Sequence, residues 1–236
     1  MERVTSEPAA AAMADRYAVC FSGGKDSMLA LDRAVRAGYV IDKLVTLYDA
    51  ASERVRFHGV PVTVMREQAA ALGLAQRLYP TTSESFERVF RTALAELRAD
   101  GLRGVIFGNV HLADVRAWYE ERVRAAGLAH VEPIWGEPPP QLAREVVTRG
   151  YTAVLTCVET EKTDPAWLGQ PLTDELIAAF ERRGIDCCGE YGEYHTLVTA
   201  GPLFHWPLAV RYAPAPPAAG ELPRFLQLDV RLDAPA

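Results

Sequence analysis

The sequence predicts an α/β fold: a parallel sheet covered by helices, followed by a smaller mixed α/β unit. Three observations carry this. Over roughly the first 135 residues, short apolar runs alternate with segments that repeat at helical spacing. Composition then breaks at Glu137-Pro138-Pro139-Pro140, which reads as a stiff linker. Beyond it lies a different pattern, ending in a tail, Phe225 to Leu232, that alternates from Leu226 onward as a half-exposed strand does.

The elements follow in order. Tyr17 to Phe21 is largely apolar, the form of a fully buried strand. A helix from about Asp26 places Met28, Leu31 and Val35 on one face and stops at Gly38. Leu44 to Tyr48 is a second strand. Pro61 suits the first turn of a helix ending at Gly73. Gln76 to Tyr79 is a third strand. Ser83 is the expected N-cap of a helix carrying Phe86, Val89, Phe90, Ala93, Leu94 and Leu97, stopped by Gly101. Gly104 to Gly108 is a strand, and Asp114 to Ala126 a helix with Val115, Trp118, Tyr119 and Val123 inward. His130 and Val131 start another strand. Strands separated by helices of this length imply right-handed crossovers and a parallel sheet. After the linker come a helix near Gln141 to Arg149, a strand at Ala153 to Val158, a helix capped by Thr173 and a glycine-rich loop, Cys187 to His195. The expected organisation is a flexible leader over 1–15, a nucleotide-binding domain over 16–136 and a substrate domain over 137–236.

Composition narrows the function classes. With 49% hydrophobic and 24% charged residues in 236, the chain has enough apolar content for a core and too little charge for disorder. The net charge of −6 argues against a broad nucleic-acid surface, which needs clustered lysine and arginine. Cys20, Cys157, Cys187 and Cys188 form no C-x-x-C pair and imply no disulfide framework, so a reducing cytoplasm is the expected compartment. No apolar run reaches the length of about 18 residues that a membrane span requires, and residues 1–15 lack the apolar core of a signal peptide.

The densest chemistry lies in Ser22-Gly23-Gly24-Lys25-Asp26-Ser27, between the first strand and the first helix. A helix start offers unpaired N–H groups and a dipole that favours an anion. Gly23 and Gly24 allow close backbone approach, Ser22 and Ser27 add hydroxyls, and Lys25 adds a charge. Asp26 repels a bare phosphate but is explained by a Mg²⁺ between it and the phosphates of ATP. The bland reading is a helix start with serine and aspartate caps. Neither a Walker A loop nor a G-x-G-x-x-G fingerprint is present.

S-G-G-x-D-S after a first strand resembles the PP-loop of the ATP pyrophosphatases, which implies a Rossmann-like (HUP-type) sheet and cleavage of ATP to AMP and pyrophosphate. A second signature is Cys188-Gly189-Glu190-Tyr191-Gly192-Glu193-Tyr194-His195-Thr196, followed by Gly201-Pro202-Leu203-Phe204. With Phe57-His58-Gly59, Gly108-Asn109-Val110, Pro133-Ile134-Trp135-Gly136 and Trp167-Leu168-Gly169, it resembles the diphthine–ammonia ligase family over roughly residues 16–205. That family adenylates a carboxylate on the diphthine side chain of an elongation factor, and ammonia then displaces AMP.

The resemblance implies an amide-forming ligase with ATP and Mg²⁺ as cofactors and ammonium and an acceptor carboxylate as further partners. Lys25, Asp26, Glu190, Glu193 and His195 are its expected catalytic residues, with Asp26 on the metal. Ser22 to Ser27 would hold the phosphates. Leu47 and Tyr48 are expected at adenine, and His58, Gly108 and Asn109 elsewhere on the nucleotide. Gly189, Glu190, Gly192, Glu193, His195 and Thr196 would bind substrate. Read alone, His58 is more often structural than catalytic, and the Glu190 to Thr196 loop is as readily a solvated turn. The stretch Gly108 to Val115 departs from the G-A-I-x-S-x-Y-Q-like segment of eukaryotic and archaeal members, which leaves the acceptor open. The oligomeric state is equally open, a homo-oligomer included. Three rivals remain: tRNA thiolation, a sulfonucleotide reductase, and an ATP-binding module without turnover. The first two want reactive cysteines that the sequence does not place.

Overall fold

The computed structural model describes residues 15–214 and 224–233. The expected leader therefore lies, save for residue 15, outside the described residues.

Nine strands and six α-helices are described in these residues. In the first half, β1 (Arg16–Cys20), β2 (Val40–Asp49), β3 (Ala75–Thr81), β4 (Gly104–Ile106) and β5 (Ala129–Val131) form one sheet in the order β3-β2-β1-β4-β5. Every neighbouring pair is parallel. Parallel neighbours need crossovers, supplied by α1 (Lys25–Arg36), α2 (Val62–Ala71), α3 (Phe86–Ala99) and α4 (Ala113–Ala125). Strand order reverses between β1 and β4, the topological switch point where open α/β sheets bind ligands beyond their carboxyl ends.

The second half adds α5 (Pro139–Thr148), β6 (Thr152–Glu159), α6 (Asp174–Arg183), β7 (Tyr194–Ala200), β8 (Val210–Pro214) and β9 (Phe225–Leu232). Its four strands pair antiparallel in the order β7-β6-β9-β8. Thr173 caps α6 as the sequence indicates, its side chain accepting from the Leu176 N–H.

Several expectations are corrected. The α3 N-cap is Ser85, not Ser83. Thr82 and Ser85 bond one another's N–H groups through their hydroxyls, which closes a turn and delays the helix. On α1, Met28 and Leu31 are fully buried, but Val35 is 40% exposed because the helix end leaves the sheet. On α4 only Val123 is fully buried, while Trp118 and Tyr119 pack half-covered against the core. The glycine-rich loop stops at Glu193, so His195 and Thr196 stand on β7.

The Glu137–Pro140 break is not a free linker. Pro138 is the N-cap of α5 and Pro139 opens it, where a missing N–H is harmless. Arg33 of α1 grips Glu137 and Glu145 together. Buried Asp32 binds Arg36, Arg149 and Tyr151. One apolar core accordingly runs through both halves, from Met28 and Leu31 of α1 to Val146 of α5, Leu155 of β6 and Leu197 of β7. A smaller core lies on the opposite face of the parallel sheet, built on Phe90, Leu94 and Leu97 of α3. Each such side chain contributes about 1.5–3 kcal/mol when fully buried.

Candidate active site

A cavity of about 220 Å³ opens at the β1–β4 switch point, between the parallel sheet and β7. Ser22, Lys25, Asp26 and Ser27 form its floor, with Gly108 and Asn109 after β4 on one side. Glu190, His195 and Thr196 from the second half, with His58, close the other side.

The floor is the start of α1. The N-cap position is Gly24, and no side chain caps the helix. Ser22 Oγ instead accepts from the Gly24 N–H at 3.3 Å, and Ser27 Oγ donates to the Gly24 carbonyl at 3.0 Å. The hydroxyls are gathered at the loop rather than spent on capping, which counts against the bland reading. Gly23 has φ +82°, and a Cβ there would lie 2.6 Å from Gln68 Oε1.

The loop is tied to β7. Gly23 O accepts from the Val198 N–H at 2.9 Å, and Lys25 N donates to Thr196 Oγ1 at 3.0 Å. Buried Gln68 of α2 donates to both Gly23 O, at 3.1 Å, and Val198 O, at 2.7 Å. His58 Nδ1 lies 2.9 Å from the Thr196 carbonyl. The Ser22–Ser27 loop is thus framed by both halves of the chain.

Lys25 is 2% exposed. Its Nζ bonds Asp26 Oδ2 at 2.8 Å, contacts the Cys188 carbonyl and sits 4.7 Å over the Tyr194 ring. Burial opposes its charge, but the Asp26 carboxylate overrides this and holds the lysine pKa well above its ordinary value. Glu190 Oε2 accepts from the Val110 N–H at 3.3 Å. Burial raises its pKa, and nearby Asp26 raises it further. Two carboxylates repelling across one cavity are relieved by a divalent cation, so the residues fit Mg²⁺ bound through Asp26 and phosphate oxygens. Among the described residues no cluster of three or more histidine, cysteine or acidic groups is placed to hold a metal by itself.

The rings of His58 and His195 lie 4.8 Å apart, and Phe57 stacks on His195 at 5.9 Å. Burial lowers the pKa of both histidines, most of all that of His195, so both are neutral at pH 7. Phe57 itself is 73% exposed and holds φ +66°, a strained value for a non-glycine residue.

Of the other expected residues, Gly108 and Gly189 line the cavity, while Glu193, Gly192, Leu47 and Tyr48 do not. Glu193 faces away from the cavity: its carboxylate accepts from the Tyr191 N–H at 3.0 Å, which folds the glycine-rich loop. Gly189 and Gly192 shape the same loop, with φ of +71° and +81°. Leu47 and Tyr48 lie on β2 outside the cavity wall. Gly108 is a packing glycine toward α1, since a Cβ there would meet the Asp26 carbonyl and Ser27 N at 2.8 Å.

The family model for the diphthamide synthase N-terminal domain matches residues 15–130, and that for its C-terminal domain matches residues 138–215. The chain belongs to the diphthamide synthase family. The diphthine–ammonia ligase of Bos taurus is 24% identical over 217 residues, covering 80% of each chain. That of Schizosaccharomyces pombe is 27% identical over 207 residues, covering 78% of this chain and 34% of the yeast protein. The structure of a U34-tRNA thiolase from Methanococcus maripaludis aligns with a TM-score of 0.39 at 14% identity, over 56% of this chain and 57% of the thiolase. That partial likeness decides nothing about the site.

Within this diphthamide synthase fold, three features escaped sequence reasoning. Gln68 clamps the Ser22–Ser27 loop; following Arg66 and Glu67, it stands out by no signal in the sequence. His111 Nε2 contacts Asp186, which in turn accepts from the Cys188 N–H at 2.7 Å. Glu132 binds Asn109 from behind the cavity wall. Partners so far apart in the chain leave no local pattern.

Proposed function

We propose that this protein is an ATP-dependent, AMP-forming ligase that adenylates a carboxylate and passes it to ammonia. The observation that carries this reading is the buried Lys25–Asp26 pair at the start of α1, facing Glu190 across one cavity. Family membership and the ligases it matches support it.

In this reading an acceptor carboxylate oxygen attacks the α-phosphorus of ATP. The bond to the β-phosphate breaks and pyrophosphate leaves, held by the α1 start and the Lys25 charge. Ser22 and Thr196 offer hydroxyls to the same oxygens, while Ser27 holds the turn through the Gly24 carbonyl. Mg²⁺ at Asp26 would supply charge neutralisation. Ammonia then attacks the acyl carbon and AMP leaves, carrying off the electron pair of its bond. Glu190 is the group to take the released proton, because burial and Asp26 bring its pKa toward the working pH. His195, whose pKa lies well below the usual histidine value, is a weak base and a better wall than a proton acceptor.

Sulfur transfer fits less well. Burial pushes Cys157 and Cys187 up to about 11 and Cys20 to about 12, with Cys188 higher still, so none offers a thiolate at neutral pH. No helix among the described residues is long and apolar enough to cross a membrane.

The test is isotope exchange between pyrophosphate and ATP against pools of cellular proteins and metabolites, with and without ammonium. Exchange that needs an acceptor but no ammonium supports an acyl-adenylate. Release of ADP and phosphate sinks the mechanism, as would a full rate in Asp26→Ala.

A further inference from the structure

Asn109 lines the cavity on the loop after β4, and its Nδ2 donates to Glu132 Oε1 at 2.7 Å. Glu132 follows β5, and its side chain is only 3% exposed. Arg116 Nε lies 2.8 Å from Glu132 Oε2, off-line for a hydrogen bond; burial raises the Glu132 pKa, and the Asn109 amide and the Arg116 charge oppose that rise. His130 Nε2 stands 3.4 Å from Oε1 on its other side. The Arg116 guanidinium is itself stacked 4.6 Å over Trp135.

An ionised carboxylate accepts hydrogen bonds and donates none. Turning the Asn109 amide over would press its carbonyl oxygen against Glu132 Oε1, acceptor on acceptor. Glu132 therefore commits the Asn109 NH₂ group to the interior and leaves Oδ1 for the cavity. The neighbouring polar group on that wall is Glu190, whose own carboxylate is fixed by the Val110 N–H. Asn109 Oδ1 and Glu190 thus offer two acceptors from adjacent positions. Phosphate oxygens, which are acceptors too, are poorly served there. An N–H donor is well served.

We propose that Glu132 acts through Asn109 as a positioning residue, fixing an acceptor that with Glu190 binds the nitrogen nucleophile as ammonium or ammonia. The inference rests on the ligase reading above and adds the residues that would select its second substrate. It also moves Asn109 from the nucleotide to the amine.

Thallium(I), close to ammonium in size and charge, tests this without turnover. Crystals of the full chain soaked in a thallium(I) salt should show an anomalous peak in contact with Asn109 Oδ1 and Glu190. Glu132→Gln frees the asparagine to turn over, because the new amide can donate to Oδ1 as well as accept from Nδ2, and the peak should weaken. Asn109→Ala should lose it. The double variant N109D/E132Q restores one acceptor toward the cavity, with the introduced glutamine amide donating behind it, and should regain the peak. A merely structural role for Glu132 predicts no such rescue. No peak in the unaltered protein, a peak on Glu190 alone, or a peak indifferent to Asn109→Ala would overturn the proposal. ATP–pyrophosphate exchange on the same protein, with the acceptor pools present, separates the two readings: its absence defeats the ligase assignment and leaves the thallium result standing.

Discussion

Gly108→Ala probes how rigidly the junction after β4 sets the Ser22–Ser27 loop. A Cβ at Gly108 would lie 2.8 Å from the Asp26 carbonyl carbon and oxygen and from Ser27 N. Ordinary contact begins near 3.4 Å, so relief demands a shift of about 0.6 Å. The atoms in the way are backbone in the first turn of α1, and they cannot swing aside as a side chain can. Overpacking of this kind costs about 2 kcal/mol, which lowers Tm by roughly 4–8 °C in a chain of this size. The same shift displaces Lys25 and Asp26, and misplacement of about 1 Å costs on the order of a hundredfold in rate. A loss of at least about tenfold in ATP–pyrophosphate exchange is therefore expected. Gly38→Ala is the control. Gly38 has φ +87° at the far end of α1, and a Cβ added there would meet no atom within 4 Å. It should lose about 1–2 kcal/mol to left-handed strain and keep its rate. Thermal unfolding and exchange are measured on both. A Gly108→Ala protein with unaltered Tm and rate would refute the packing account, and so would equal rate losses in the two variants.

Three further outcomes are expected. Thr196→Val strips the Lys25 N–H of its 3.0 Å partner in a buried setting, which should cost about 1–3 kcal/mol in denaturant unfolding and weaken ATP binding by calorimetry. Glu190→Gln should cut amide formation by at least about tenfold, while Glu193→Gln, outside the cavity, should stay within a few-fold in rate and act on stability. Burial lowers the pKa of His130 to about 4 and also lowers those of His58 and His195, so each histidine binds its proton more readily when unfolded. Their contribution is complete above pH ~6.5 and is lost as pH falls toward the folded values, by at most about 1.4 kcal/mol per pH unit per histidine. His130→Phe should flatten urea-derived stability between pH ~6.5 and ~4; an unchanged slope would count against its burial as the cause.

The local signals were the legible ones. An apolar run, two glycines and a patterned helix place Ser22 to Ser27 at a strand–helix turn whatever surrounds it, because the helix start exposes N–H groups by its own geometry. The family likeness added Glu190, His195 and Thr196, and the fold brings all three to that turn. Periodicity likewise gave the parallel sheet, since buried strands and amphipathic helices are written in consecutive residues. What tertiary structure alone decided is which polar groups are left free. Glu190 and Glu193 read alike in sequence, yet one faces the cavity and the other is consumed by the Tyr191 N–H. Gly108 lines the cavity as expected, and the fold adds that it is also clearance for α1. The proline break looked like a stiff linker and is held to α1 by Arg33 and Asp32. Gln68, Asp186 and Glu132 act on partners 45, 75 and 23 residues away. Hydrogen bonds at such separation depend on where the whole chain closes, and no window of neighbouring residues contains them. The opening motif was therefore fixed locally, but its pinning to β7, which makes it a site, came only from the shared core.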